Sequence, residues 1–233
     1  MTDDRSRSLP VLLACAHGTK DPAGQQVVTE LVAAVRRARP GLDVRGCFVD
    51  VQAPSVADVL AEVHAEGLTA VVVPLLLSSG YHVRVDIPQA LAAAPGSVAA
   101  PALGPDAALA DLMAERLSAC GAEPQQAVVL AAAGSSDPRA AEDVVQVARM
   151  LRAVWQGPVV VGYGASAQPD VPTAVQQARD LHAGCVAIAS YLLAPGHFHD
   201  RLQEAGADLV AQPLGADPAL AALALRRYDS VRR

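Results

Sequence analysis

Aromatic side chains are scarce. Two Phe, one Trp and four Tyr make up 3% of the 233 residues. Stacking platforms for single-stranded nucleic acid are built from several exposed aromatic rings, so that class is disfavoured. Positive charge is also short: 18 Lys and Arg face 24 Asp and Glu, for a formal net charge of −6. Nucleic-acid binding rests on a basic face, which this balance does not supply. Lys20 is the only lysine. No apolar run approaches the roughly 18 residues of a membrane span, and the densest stretch, residues 70–77, contains Pro74. The opening residues carry no apolar core of a secretory signal, so the expected location is the cytoplasm. None of the four cysteines, Cys15, Cys47, Cys120 and Cys185, belongs to a CxxC pair. Zinc-ribbon and iron–sulfur spacings are thereby excluded, and four reduced, buried thiols are expected.

What is abundant is apolar. Hydrophobic residues reach 52% and charged residues 18%, enough for a substantial core in one large or two small domains. Residues 9–16 form a short apolar run that ends at His17-Gly18. Residues 23–39 carry Val27, Val28, Leu31, Val32 and Val35 at helical spacing and stop at Pro40-Gly41. Residues 43–51 read as a strand, 54–66 as a helix and 69–77 as a second continuous apolar strand. Unbroken apolar strands separated by helices indicate a parallel sheet covered on both faces.

The pattern then restarts. Residues 127–133 are apolar and lead into Gly134-Ser135-Ser136-Asp137-Pro138, as the first strand leads into Gly18-Thr19-Lys20-Asp21-Pro22. Gly18 and Gly134 stand 116 residues apart, as do Gly80 and Gly196. Two anchors at one offset indicate an internal duplication. The expected architecture is therefore α/β, with two similar domains, each a small parallel sheet flanked by helices. Residues 1–121 form the first domain and 122–233 the second, with the hinge in residues 119–126. Ligands bind outside the carboxyl ends of parallel strands, so the loops after residues 16, 49 and 77 should share one rim.

Three residues on those loops could carry chemistry. His17 closes the first strand, and a neutral imidazole can take a proton or bind a metal. Its counterpart at the 116-residue offset is Ala133, while the glycine and Asp-Pro around it are kept. The retained frame looks architectural, with Asp21 or Asp137 capping a helix that begins with proline. His82 follows Gly80, and its counterpart is Phe198. Asp50 ends the second strand, opposite Ser166 at the same offset. Two imidazoles and a carboxylate can hold a divalent transition metal with positions left open. The first half would then hold the chemistry, and the second would close the cleft. Thr19, Ser78, Ser79 and neighbouring amides could bind anionic groups, and Arg84 a carboxylate. His197 and His199 could face the cleft from the second half. His64 and His182 read as surface or capping residues.

Three segments together resemble the class II tetrapyrrole chelatases: Ala14-Cys15-Ala16-His17-Gly18-Thr19-Lys20-Asp21-Pro22, Phe48-Val49-Asp50, and Pro74-Leu75-Leu76-Leu77-Ser78-Ser79-Gly80-Tyr81-His82-Val83 with Asp86-Ile87-Pro88. The resemblance is to the long, two-domain form of the sirohydrochlorin chelatases and covers almost the whole chain. It implies a lyase that inserts Fe2+ or Co2+ into sirohydrochlorin, a tetrapyrrole with acetate and propionate arms. His17 and His82 map onto the family histidines. Asp50 maps onto an acid that is usually glutamate, a shorter side chain here. Thr19, Ser78, Ser79, Gly80 and Arg84 are the expected substrate contacts. No cofactor beyond the substrate metal is implied, and the partner is the small molecule, with no nucleic acid and no membrane. The duplication makes one chain a pseudo-dimer, acting as a monomer or a homodimer. The chain lacks the histidine-rich tail and terminal cysteines of some cobalt enzymes, which favours iron and siroheme synthesis over cobalt and cobalamin synthesis. Two other readings stand beside this one. A histidine phosphatase would need an arginine where Ala16 stands, and a metal or tetrapyrrole carrier would use the same residues without turnover.

Overall fold

A computed structural model describes residues 9–182 and 184–232; the side chains of Tyr81 and His82 lie outside the described set. The chain forms two parallel four-stranded sheets flanked by helices. In the first, β1 (Val11–Ala16) is flanked by β2 (Val44–Phe48) and β3 (Ala70–Pro74), and β4 (Val98–Ala99) adds to β3. In the second, β5 (Ala127–Ala132) is flanked by β6 (Val159–Tyr163) and β7 (Val186–Tyr191), with β8 (Leu209–Val210) outermost. The two strand orders are the same. Register repeats as well: Leu12 pairs with Val71 in the first sheet and Val128 with Ala187 in the second.

All six residues of β1 are buried, because helices cover both faces of the sheet. Alternation along the strand then sorts the side chains. Leu12, Ala14 and Ala16 enter one core, while Val11, Leu13 and Cys15 enter another. β5 behaves alike, with Val128, Leu130 and Ala132 on the shared side and Ala127, Val129 and Ala131 on the outer side. The inner faces of both sheets therefore feed one continuous core.

Four helices fill the layer between the sheets. Helix α1 (Pro22–Ala38) and its counterpart α6 (Pro138–Val154) each begin with proline after an aspartate cap. Asp21 accepts from Gly24 N at 2.9 Å and Asp137 from Arg139 N at 3.0 Å. Such caps contribute about 1 kcal/mol each. The other two helices are exchanged. Helix α5 (Ala107–Ala119), from the first half, packs on α6 and β7 of the second. Helix α9 (Pro218–Ser230), from the second half, packs on α1 and β3 of the first. Polar ties fix the exchange: Arg39 makes two hydrogen bonds to Asp229 at 2.7 and 2.6 Å, and Tyr228 donates to Pro10 O at 2.5 Å. The outer faces carry α2 (Val56–Ala65) and α4 (Asp86–Leu91) on the first sheet, and α7 (Val171–Leu181) and α8 (His197–Gln203) on the second, while the short α3 (Tyr81–Arg84) packs on α4.

Two expectations need correction. Cys15 and Cys47 are buried, but Cys120 and Cys185 are only half-buried, because they sit at the end of α5 and just before β7. The constant offset also slips. Phe48 bridges to Ser55 and Tyr163 bridges to Asp170, so the copies are 115 residues apart there. Asp50 N donates to His17 O, and Ala165 N donates to Ala133 O. The structural counterpart of Asp50 is thus Ala165 rather than Ser166, which corresponds to Val51. One residue is missing between α6 and β6. No helix among the described residues is long and apolar enough to cross a membrane.

Candidate active site

The carboxyl ends of β1 and β3 face those of β5 and β7 across a cavity of about 1230 Å³. That is larger than the roughly 300–1,000 Å³ of an ordinary small-molecule pocket. The two halves line it differently. The first contributes His17, Thr19, Lys20, Val51, Ser78 and Gly80. The second contributes Ala133, Tyr163, Tyr191, Leu192, Leu193 and Phe198. Titratable side chains come from both halves, His17 and Lys20 from the first and His197, His199 and Asp200 from the second, whereas the aromatic rings among the described residues come from the second.

His17 sits where β1 gives way to a turn at Gly18, whose φ is +97°. A Cβ on Gly18 would lie 2.2 Å from Asp50 O, so only glycine lets the two strand ends approach. The His17 ring is exposed, and its Nδ1 lies 3.0 Å from Gly18 O. A carbonyl can only accept, so Nδ1 carries the proton and the neutral ring has its lone pair at Nε2.

Asp50 lies beside His17, its amide 3.1 Å from the His17 carbonyl. Its carboxylate folds back to accept from Val51 N at 2.7 Å, and Asp50 is not part of the cavity wall. His82 lies on α3, two residues after Gly80; its side chain is outside the described residues. Among the described residues, no three of His, Cys, Asp and Glu form a group that could hold a metal ion.

The expected substrate contacts divide. Ser78 and Gly80 line the cavity. Thr19 does too, but its amide donates to Gln52 Oε1 at 2.8 Å and its hydroxyl oxygen accepts from Asp21 N at 3.1 Å. Ser135 repeats the second bond to Asp137 N at 3.1 Å, so this part of Thr19 belongs to the duplicated turn. Ser79 and Arg84 line a separate groove of about 500 Å³. The amide and hydroxyl of Ser79 both donate to Asp143 Oδ2, at 2.7 and 2.5 Å. His197 lines the cavity, its ring 5.7 Å from that of Phe198. His199 also reaches the wall but is buried, with Nε2 3.4 Å from Ala211 O.

Sequence reasoning passed over Lys20, Tyr163 and Tyr191. Three of the seven aromatics, Tyr163, Tyr191 and Phe198, line this one cavity. Burial pushes both tyrosine hydroxyls up, so each is a neutral group near pH 7. Tyr191 donates to Leu77 O at 2.7 Å. Lys20 contributes the cavity's lysine ammonium, and its side chain makes no hydrogen bond or ion pair with the described residues. At the start of α6, Arg139 donates to both oxygens of Asp137 and holds that carboxyl down at about 2.

Two facing parallel sheets with a broad cleft between their strand ends, a histidine on one wall and an aromatic surface on the other, define a duplicated chelatase-like fold. The CbiX family pattern matches residues 11–120 and again residues 127–231. The chain belongs to the CbiX family. It is 26% identical to the sirohydrochlorin ferrochelatase of Priestia megaterium over 83% of this chain and 76% of that protein. It is 33% identical to the sirohydrochlorin cobaltochelatase of Methanococcoides burtonii over 34% of this chain, a match that spans 62% of that protein's length. Its fold is that of SirB from Bacillus subtilis, solved with Fe3+, with TM-score 0.82 and 20% identity over 95% of this chain and 94% of that one.

Proposed function

We propose that this chain is a sirohydrochlorin chelatase, a lyase that inserts Fe2+ into sirohydrochlorin. The observation that carries the reading is the cleft itself, wide enough for a flat macrocycle, with His17 on one wall and Tyr163, Tyr191 and Phe198 on the other. Iron is favoured because the relative matched along most of this chain is named a ferrochelatase, whereas the cobaltochelatase match covers a third.

The reaction exchanges M2+ for the two pyrrolic protons of the free-base ring. The aromatic and apolar wall supports one face of the macrocycle. His17 approaches the other, and its Nε2 lone pair accepts the two pyrrolic protons in turn and passes each to solvent. His82 is the second imidazole of the metal path, with Asp50 beside it. Asp50 would leave Val51 N to touch the metal, or act through water. Few protein ligands is the useful arrangement, since a tightly coordinated ion would never transfer to the ring. Lys20 and the hydroxyls of Thr19 and Ser78 meet the carboxylate arms, a local recognition that suits an acidic protein binding a polyanion. No further cofactor takes part. Residues 1–121 form the unit that carries the chemistry and 122–233 the unit that closes the cleft, each with its last helix lent to the other. One chain supplies both walls, so the site is complete in a monomer or in each subunit of a homodimer, working in the cytoplasm.

The test is anaerobic incubation of the purified protein with sirohydrochlorin and either Fe2+ or Co2+, followed by absorption. Metal-dependent turnover well above the uncatalysed rate, faster with Fe2+, is expected. Faster turnover with Co2+ would reassign the metal. Tight binding without turnover would make the chain a carrier, and no binding would overturn the reading.

A further inference from the structure

Resting on the chelatase reading, we infer that the second half does more than close the cleft: Asp143 and Tyr191 are positioning residues that hold the loop leading to His82. The loop after β3 is tied at three successive points. Leu76 O accepts from Leu103 N at 2.9 Å. Leu77 O accepts from the buried Tyr191 hydroxyl at 2.7 Å. Ser79 donates from both its amide and its hydroxyl to one carboxylate oxygen of Asp143, at 2.7 and 2.5 Å. Only the first tie comes from the loop's own half; Tyr191 ends β7 and Asp143 lies on α6. Gly104 presses on the same point. A Cβ there would stand 2.0 Å from Leu77 O and 2.4 Å from the Tyr191 hydroxyl, so the junction has no slack.

The tie runs one way. At the repeat offset, Ser79 corresponds to Pro195, which has no amide hydrogen, Asp143 to Val27 and Tyr191 to Leu75. The second half's own loop, ending in Gly196, packs closely on the first half, where a Cβ on Gly24 would lie 3.0 Å from Pro195 O, and no hydrogen bond ties that loop to the first half among the described residues. Among the described residues the clamp is thus found around the loop that leads to His82, whose copy position is Phe198, between His197 and His199. A charged acceptor taking two bonds is stronger than a neutral one. Loops not held this way sample several placements, and a displacement near 1 Å at a reacting group can cost on the order of a hundredfold in rate.

The experiment compares wild type with Asp143→Ala, Asp143→Asn, Ser79→Ala and Tyr191→Phe by two readouts. Hydrogen exchange of the peptide spanning residues 76–84, in the protein without substrate, reports the clamp. Steady-state turnover reports its consequence. Asp143→Ala and Tyr191→Phe are expected to speed exchange in that peptide by about tenfold, the size of one lost hydrogen bond, and leave β5 unchanged. They should lower kcat about tenfold or more with KM for sirohydrochlorin nearly constant, and Asp143→Asn, which keeps an acceptor oxygen, should restore much of both. If the buried Tyr191→Phe variant fails to fold, Ser79→Ala carries the test from the loop side. Unchanged exchange would overturn the clamp. Faster exchange with full kcat would leave a structural tie and overturn the positioning role. A wild type that turns nothing over would instead overturn the chelatase reading, while the exchange data would still register the clamp.

Discussion

Gly18→Ala separates the architecture of the first turn from its chemistry. Gly18 has φ +97°, where an L side chain costs about 1–2 kcal/mol. The new Cβ would also meet Asp50 O at 2.2 Å, and must retreat to at least 3.0 Å. That oxygen is backbone, so the strand ends bearing His17 and Asp50 must part. Strain and displacement together predict a loss of about 2–4 kcal/mol. At about 2–4 °C per kcal/mol for a chain of this size, the melting temperature should fall by roughly 5–15 °C. The duplication supplies the control. Gly134 has φ +90°, and a Cβ there would meet Ala165 O at 1.8 Å, so Gly134→Ala should destabilise at least as much. The two variants should differ in turnover per folded molecule. Gly18→Ala moves His17 and should cut kcat about a hundredfold or more, whereas Gly134→Ala moves Ala133 and should cost much less. Urea titration with turnover measured well below the unfolding transition checks both. A Gly18→Ala protein within about 0.5 kcal/mol of wild type, or equal kcat losses in both variants, would refute the reasoning.

His17→Ala should abolish chelation while leaving the urea midpoint near wild type, and His197→Ala should cost far less; near-normal turnover in the first would remove His17 from the site. Asp50→Asn keeps an acceptor for Val51 N, so stability should hold while metal use weakens more than tetrapyrrole binding, measured as separate titrations of metal and sirohydrochlorin. Lys20→Gln should raise KM for sirohydrochlorin by up to about fivefold with little change in kcat, as expected for an exposed charge pair of at most about 1 kcal/mol. Asp137 provides a pH test: Arg139 lowers its folded value to about 2, below its unfolded value near 3.8. The resulting stability is present above pH 4 and is lost as pH falls toward 2, so Arg139→Ala should flatten the urea midpoint between those limits; an unchanged profile would dismiss the pair.

Much of the fold was legible because burial on both faces leaves a mark in the chain. β1, β3 and β5 stood out as unbroken apolar runs, and the Asp-Pro helix starts marked α1 and α6. His17 was legible from the contrast with Ala133 in a frame otherwise kept. Asp50 was located correctly on its loop, but its pairing with Ser166 failed because a one-residue deletion in a loop leaves no periodic signature. Ser79 was read as a substrate contact because it lies on a rim loop with hydroxyls and amides able to bind anionic groups. Its acceptor, Asp143, lies 64 residues away on a helix of the other half. Tyr163 and Tyr191 sat in strands where aromatic residues are ordinary core.

The sequence by itself determined the two parallel sheets, their duplication and the rim on which His17 lies. Those follow from local apolar periodicity and from turns that only glycine, aspartate and proline satisfy. Only the tertiary structure decided that α5 and α9 change places, that the two rims face each other across one cavity, and that the loop before His82 is held by Asp143 and Tyr191. Those outcomes depend on which apolar face meets which, and on whether a donor finds its acceptor across the cleft. Neither is encoded at any spacing along the chain, because each is settled only when the two halves close on a shared core.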